Sequence, residues 1–138
     1  AHNIIVESDK LFDEMDFTET EVLVLPGGMP GSKYLGEHKE LVELLKSFNK
    51  ESKLIAAICA APSVLGVNGI LDGKKATCFP GFEDKLGKAI ISEDKVVKDQ
   101  NIITGKGAGV AIEFSLKIIE AIKGKDLADE IADSIQLT

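Results

Sequence analysis

The stretch that decides the fold is Leu54-Ile55-Ala56-Ala57-Ile58-Cys59-Ala60-Ala61-Pro62. Its first five residues are all apolar, which is typical of a strand buried on both faces inside a parallel sheet. Cys59 follows that strand directly, and a helical segment follows Cys59. The stretch therefore predicts a strand over 53–58, a sharp turn at Cys59 and a helix over about 60–66.

Strands and helices also alternate upstream of this stretch. Residues 3–7 are a candidate strand, and a short helical segment before Asp16 is indicated by Leu11, Phe12 and Met15. Residues 21–25 are nearly all apolar and stop at Pro26-Gly27-Gly28, so we expect this strand to lie inside the sheet. The next helix, over about 36–49, is predicted from one apolar face, formed by Leu41, Leu44, Leu45 and Phe48.

The same alternation continues downstream. A strand over 75–79 ends at Pro80-Gly81, and residues 95–98 and 101–104 flank a turn and predict a hairpin. A long helix begins after Gly109 and ends at Gly124, and a short amphipathic helix over 126–135 closes the chain. The stripe that we expect the long helix to bury comprises Ile112, Leu116, Ile119 and Ile122. Such alternation predicts a parallel α/β sheet with helices on both faces.

Composition limits the classes of function. The 138 residues suffice for one domain, 44% of them are hydrophobic, and the net charge is −7. An acidic chain is a poor nucleic-acid binder, and no apolar run is long enough to cross a membrane. The first residues do not resemble a signal peptide, and two cysteines do not form a secreted disulfide framework. We expect a cytoplasmic protein with no cofactor and no metal, since two Cys and two His are wrongly spaced for zinc.

Cys59 is the candidate nucleophile. A nucleophile on a tight strand-to-helix turn, called a nucleophile elbow, needs small residues two positions away on either side. Ala57 and Ala61 meet that need. The amino end of the following helix would favour the thiolate over the thiol. The alternative is that Cys59 is a small buried apolar residue, as most free cysteines are.

Two glycine-rich segments follow strands of the predicted sheet, at the carboxyl ends where ligands bind in such folds. Pro26-Gly27-Gly28 could direct backbone N–H groups at an oxyanion, together with the N–H of Ala60. Gly105-Lys106-Gly107-Ala108-Gly109 fits neither the Walker nor the dinucleotide-binding pattern, so a close-packed turn is the better interpretation. Lys106 could still supply a cation near the pocket.

The remaining cysteine and the histidines carry less information. Cys78 lies in a predicted strand as packing, although a role as resolving thiol for Cys59 stays open. His38 is better explained as a helix-end residue than as a catalytic base, and His2 is close to the terminus.

Four stretches together resemble the DJ-1/ThiJ/PfpI family of the class I glutamine-amidotransferase-like superfamily. They occur in the family's order and spacing: VLPGGMPG (24–31), LIAAICAAP (54–62), ATCFPGFE (76–83) and IITGKGAG (102–109). The resemblance implies a flavodoxin-like three-layer sandwich with a mostly parallel sheet and the elbow at Cys59. It also implies that Gly28 and Ala60, with Gly27 beside them, form the oxyanion and substrate-binding pocket.

The resemblance implies a function as well. Peptidase-like members have His after the elbow cysteine, whereas this chain has Ala60, which favours the DJ-1/ThiJ branch. That branch is associated with glyoxalase-III and deglycase activities on glyoxal and methylglyoxal, with protection against oxidative stress, and with homodimers. Two alternatives stay open: a redox-sensing or chaperone protein that uses oxidation of Cys59, and a cysteine peptidase or amidotransferase-like hydrolase, which needs a histidine.

The chain departs from the family's pattern in two places. Some relatives have His where this chain has Phe79, which leaves Phe79 and Lys106 as pocket residues. Relatives also carry a glutamate after their first strand, and residues 3–7 resemble a later strand. We therefore expect a family domain over 1–138 without its amino-terminal βαβ portion, complemented by that segment as a separate chain. None of four nearby acids convincingly replaces the glutamate: Glu7, Glu14, Glu19 and Glu21.

Overall fold

A computed structural model describes residues 3–137 of the chain. Its main sheet has four strands in the order β1 (Val22–Leu25), β2 (Leu54–Ile58), β6 (Ile102–Gly105) and β5 (Val96–Asp99). The first three strands are parallel, and β5 runs antiparallel to β6. A separate parallel pair joins β3 (Lys75–Ala76) to β4 (Ile90–Ile91). The mostly parallel sheet confirms the predicted α/β class.

Helices cover both faces of this sheet, as the sequence predicted. One face carries the larger core, to which α1 (Gly31–Glu37), α2 (Lys39–Lys50) and α3 (Pro62–Gly66) contribute. The other face packs against α4 (Ala111–Lys123), and α5 (Lys125–Ser134) lies beside α4. Single 3₁₀ turns occur at Phe12–Glu14, Glu83–Lys85 and Ala108–Val110. Among the described residues, no helix is both long and apolar enough to cross a membrane.

The strand predicted over 3–7 is absent. Ile4, Ile5 and Val6 are 73%, 97% and 85% exposed. Their β-branched side chains favour a strand, but a strand also needs a neighbour for its backbone groups, and none pairs with this segment within residues 3–137. The helix expected before Asp16 is shortened to the 3₁₀ turn Phe12–Glu14, none of whose residues is buried.

The position of β1 also differs from the expectation. The strand forms as predicted, but in the part of the chain that the structure describes it is an edge strand rather than an interior one. Leu23 and Leu25 face the larger core, whereas Val24 points to the opposite face and is 52% exposed. Helix α4 packs on β2, β5 and β6, so that face of β1 lies open.

Three helical predictions need correction. The helix expected over 36–49 begins at Lys39 as α2, and α1, which was not predicted, precedes it and meets it at His38. The helix expected from residue 60 begins at Pro62. Helix α4 has the expected bounds, but its buried residue is Phe114, while Ile112 and Ile122 are 49% and 39% exposed. Apolar residues surround α4 on most sides, so periodicity alone could not select the face that packs on the sheet.

The strand expected over 75–79 is shorter than predicted, because its regular pairing with a neighbouring strand stops at Ala76. After Ala76 the chain is still linked to the main sheet by an isolated hydrogen bond, in which the N–H of Thr77 donates to Oγ1 of Thr104 at 3.0 Å. The predicted hairpin forms as β5 and β6. The closing helix, expected over 126–135, is α5.

Candidate active site around Cys59

Cys59 lies on the turn between β2 and α3 with a φ of 65°. This is the left-handed region, where a residue with a Cβ atom carries a strain of about 1–3 kcal/mol. Two backbone hydrogen bonds hold the turn in place. The Cys59 N–H donates to the carbonyl of Gly105 at 2.9 Å, and the Cys59 carbonyl accepts from the N–H of Phe79 at 2.8 Å. The strained backbone of Cys59 is thus held by two other segments of the chain. The cysteine itself is partly exposed.

The small residues around the elbow are tightly packed. Ala57 and Ala61 have no exposed surface, and Ala60 is only 2% exposed. The N–H of Ala61 donates to the carbonyl of Ile58 at 3.1 Å, which closes the turn under Cys59. A larger side chain at either flanking alanine would have to displace the core.

Gly27 lies directly against the elbow. A Cβ atom built on Gly27 would sit 2.5 Å from the Cβ of Cys59, 2.6 Å from the carbonyl oxygen of Ile58 and 3.3 Å from the nitrogen of Ala60. Only a glycine allows this approach. The structure therefore brings the end of β1 onto the end of β2, where the sequence predicted that the two segments meet.

The two amides expected to bind an oxyanion border the same turn. Gly28 has a φ of 88°, and its carbonyl accepts from the N–H of Ser32 at 2.9 Å, which fixes the loop to α1. Within residues 3–137, neither the Gly28 N–H nor the Ala60 N–H donates to a backbone acceptor. Both N–H groups therefore lack a backbone acceptor in the described part of the chain, as the predicted oxyanion role requires.

Phe79 and Lys106 lie beside the elbow but make different contacts. The Phe79 ring is 47% exposed and packs on Gly107, where an added Cβ would lie 3.4 Å from it. Lys106 donates through Nζ to Oε2 of Glu93 at 3.1 Å. The aromatic ring has no proton-accepting nitrogen, so Phe79 cannot deprotonate the thiol of Cys59.

Cys78 differs from Cys59 in its surroundings. It is 4% exposed and belongs to the larger core, which agrees with its interpretation as packing. Burial, and secondarily the Glu83 carboxylate, raises the pKa of the Cys78 thiol to about 11. Cys78 therefore stays protonated near neutral pH and is a poor nucleophile.

The other candidate proton acceptors have structural roles or are exposed. His38 caps α2, as predicted: its Nδ1 accepts from the N–H of Leu41 at 3.2 Å, and its ring packs on Phe12 at 4.6 Å between centroids. This leaves it engaged at a helix end. The four acids considered above, Glu7, Glu14, Glu19 and Glu21, are all exposed. His2 lies outside the described residues.

Sequence reasoning missed one residue near this site. Ser32, in the first turn of α1, is 3% exposed, and its Oγ has no hydrogen-bond partner within residues 3–137. The sequence carried no signal for it, because α1 itself was not predicted. Nor do the described residues contain a group of three or more side chains that could hold a metal ion.

Comparison with known proteins gives a consistent result. The model of the DJ-1/PfpI family matches residues 2–121. Protein dj-1beta of Drosophila melanogaster is 43% identical over 83% of this chain and 63% of its own length. The glutathione-independent glyoxalase DJR-1.2 of Caenorhabditis elegans is 39% identical over 80% of this chain and 60% of its own length. The solved structure of oxidized Toxoplasma gondii DJ-1 is 36% identical, with a TM-score of 0.92, covering 98% of this chain and 74% of that one.

The matches extend over most of this chain but not over most of each relative. The chain spans between 31% and 63% of the length of the curated relatives that we compared.

Proposed function

This chain belongs to the DJ-1/PfpI family, and from that premise we propose that it is a cysteine-dependent enzyme acting on small reactive aldehydes such as methylglyoxal and glyoxal. The observation that carries the proposal is the strained Cys59, flanked by two unengaged backbone amides. A relative named as a glutathione-independent glyoxalase supports the same reaction class.

In the proposed reaction the Cys59 thiolate attacks the aldehyde carbon of methylglyoxal and forms a hemithioacetal. The carbonyl π electrons move to oxygen, and the N–H groups of Gly28 and Ala60 stabilise that oxyanion. After the oxygen is protonated, a base takes the proton from the former aldehyde carbon while the neighbouring ketone oxygen gains a proton, which gives an enediol. Return of the proton to the neighbouring carbon, with loss of the hydroxyl proton from the former aldehyde oxygen, gives a thioester. Water then cleaves the thioester to lactate and releases the thiolate. The sum is methylglyoxal plus water to lactate, with no external oxidant.

The base for the proton transfer is the open element of this mechanism. Phe79 has no basic atom, and His38 is engaged at the start of α2. We propose that a carboxylate on a separate polypeptide provides the base by docking beside β1. The open edge of β1 and the exposed side chain of Val24 support such docking. Native mass spectrometry of the purified protein tests this and a homodimer together, because the two assemblies differ in mass.

Replacement of each cysteine in turn tests the enzymatic proposal. We expect Cys59→Ser to lose at least about 100-fold in methylglyoxal turnover, because the nucleophile is lost. Cys78→Ser is the matched control and should keep most of the activity, since Cys78 is a core residue. Lactate formation is the readout. Undiminished turnover by Cys59→Ser would eliminate the mechanism.

A second candidate is a redox sensor that uses oxidation of Cys59. It is favoured by the contrast between the two thiols: Cys59 is partly exposed, whereas Cys78 is buried and its pKa is raised to about 11. Peptide mass spectrometry after mild peroxide should find oxygen added to Cys59 first. Equal oxidation of both cysteines would argue against a sensor.

A further inference from the structure

The glycine-rich segment after β6 has no part in the mechanism above, yet it lines a groove. The groove has a volume of about 420 Å³. It is bounded by Phe79, Pro80, Lys95 and residues 106–110. The groove is largely open to solvent, and it can hold a small organic molecule against its wall.

This groove adjoins the elbow through two shared segments. The N–H of Phe79 donates to the Cys59 carbonyl, and the residue before Lys106 accepts from the Cys59 N–H. Phe79 borders both the elbow and the groove, with its ring packed on Gly107. A substrate held at Cys59 by its aldehyde could therefore extend its other end past Phe79 into the groove.

The walls and the rim of the groove differ in chemistry. The walls are apolar, with the Phe79 ring, Pro80 and the mostly buried Val110. The rim carries two ammonium groups. Lys95 is exposed and forms no ion pair in the described part of the chain. Within residues 3–137, Lys106 pairs only with Glu93, whose side chain is 94% exposed.

An ion pair with so exposed a carboxylate contributes little free energy, so a ligand anion can replace it. The chain as a whole carries a net charge of −7, which repels anions. Two lysines beside an apolar wall offset that repulsion at one place. The occupant that fits is a small organic anion with a short apolar body.

We propose that this groove is a specificity subsite that binds the carboxylate or phosphate of an aldehyde substrate whose carbonyl group lies at Cys59. The inference rests on the proposed function. It adds to the neutral dicarbonyls a preferred class of substrate, the 2-oxoaldehydes that carry an anionic group on an apolar arm.

A matched pair of substrates tests the subsite. Phenylglyoxal and 4-carboxyphenylglyoxal share the reacting group and differ in one carboxylate. We expect the wild-type protein to prefer the carboxylated compound in kcat/KM. Lys95→Gln and Lys106→Gln should each reduce that preference about fivefold, the effect of one exposed charge contact. Lys98→Gln on β5, an exposed lysine outside the groove, should keep the wild-type ratio.

Salt gives a second readout, because screening of exposed charges should reduce the preference as ionic strength rises. A preference that neither lysine variant changes would overturn the proposal, as would equal turnover of the two compounds by the wild-type protein.

A binding experiment separates this inference from the proposed function. Benzoate is titrated into Cys59→Ala, and benzyl alcohol serves as the neutral probe. We expect benzoate alone to shift the amide resonances of Gly107, Ala108 and Gly109 in ¹⁵N spectra. Benzoate shifts without turnover of either aldehyde would refute the enzyme and keep the anion site. Equal shifts with benzyl alcohol, or none with benzoate, would refute the anion site.

Discussion

The substitution Gly27→Ala tests whether the elbow depends on the close approach of β1 to β2. The added Cβ would lie 2.5 Å from the Cβ of Cys59 and 2.6 Å from the carbonyl oxygen of Ile58. Ordinary contacts between such atoms are about 3.5 Å or longer, so one of the two strand ends must move by about 1 Å. The second contact is with backbone, which cannot turn aside as a flexible side chain could.

Overpacking of this kind costs about 1–3 kcal/mol, and a contact with backbone belongs at the upper end. We therefore expect Gly27→Ala to lower the free energy of unfolding by about 3 kcal/mol. Two neighbouring glycines are matched controls. Gly31→Ala meets nothing within 4 Å and should change stability by less than about 0.5 kcal/mol. Gly28→Ala meets nothing either but has a φ of 88°, so strain alone should cost about 1–2 kcal/mol.

Urea unfolding measures the three free energies, and reaction of the native protein with a chromogenic disulfide measures access to the Cys59 thiol. The expected order of destabilisation is Gly27→Ala, then Gly28→Ala, then Gly31→Ala. Thiol reactivity should change most in Gly27→Ala, because the turn itself is displaced. If Gly27→Ala is as stable and as reactive as Gly31→Ala, the strand ends do not approach as described and the argument fails.

Three further expectations concern buried groups. Ser32→Ala should raise the free energy of unfolding by about 1 kcal/mol, since it removes a buried hydroxyl without a partner; a loss in urea unfolding would show that the hydroxyl is bonded in solution. Burial raises the pKa of Cys78 from 9.0 to about 11, so the thiol keeps its proton to higher pH in the folded state than in the unfolded state. Between pH 9 and 11 the free energy of unfolding of the wild-type protein should therefore fall by up to about 1.4 kcal/mol per pH unit relative to that of Cys78→Ala. Parallel curves of stability against pH for the two proteins would contradict this. Lys74→Met should lower the free energy of unfolding by about 2 kcal/mol, measured by thermal unfolding. The reason is that the buried Lys74 ammonium donates to the Ile70 carbonyl at 2.8 Å and to Oδ1 of Asn49 at 3.2 Å. An equal loss in Lys75→Met, at the exposed neighbouring lysine, would refute a stabilising role for these two hydrogen bonds.

The sequence predicted the elements whose signal is local and strong. The five apolar residues Leu54–Ile58 can be buried only as an interior strand, and β2 pairs on both sides as expected. Predictions failed where a neighbour decides the outcome. Residues 3–7 have strand-forming side chains but no pairing partner among the described residues, and α1 was missed because its seven residues include two glycines and show no apolar stripe.

The location of the candidate site could be predicted from the sequence, but the burial of its neighbouring polar side chains could not. Glycine-rich ends of successive parallel strands must meet at one edge of a sheet, so Gly27, Cys59 and Gly105 could be placed together from sequence. Ser32 could not, because a serine is ordinarily exposed and only tertiary packing buries it.

The strained backbone of Cys59 is stabilised by contacts that exist only in the complete sheet. A left-handed cysteine is unfavourable by itself, and no neighbour in sequence offsets that cost. The contacts that hold it come from the end of β1, from the end of β6 and from Phe79, which are distant in sequence and meet only when the strands are in register. The left-handed conformation of Cys59 is therefore a property of the assembled sheet. A substitution in any of these three segments should change the reactivity of the Cys59 thiol while the domain is still folded. The reason is that the strained turn lowers its free energy when it relaxes, so it rearranges more easily than the rest of the sheet.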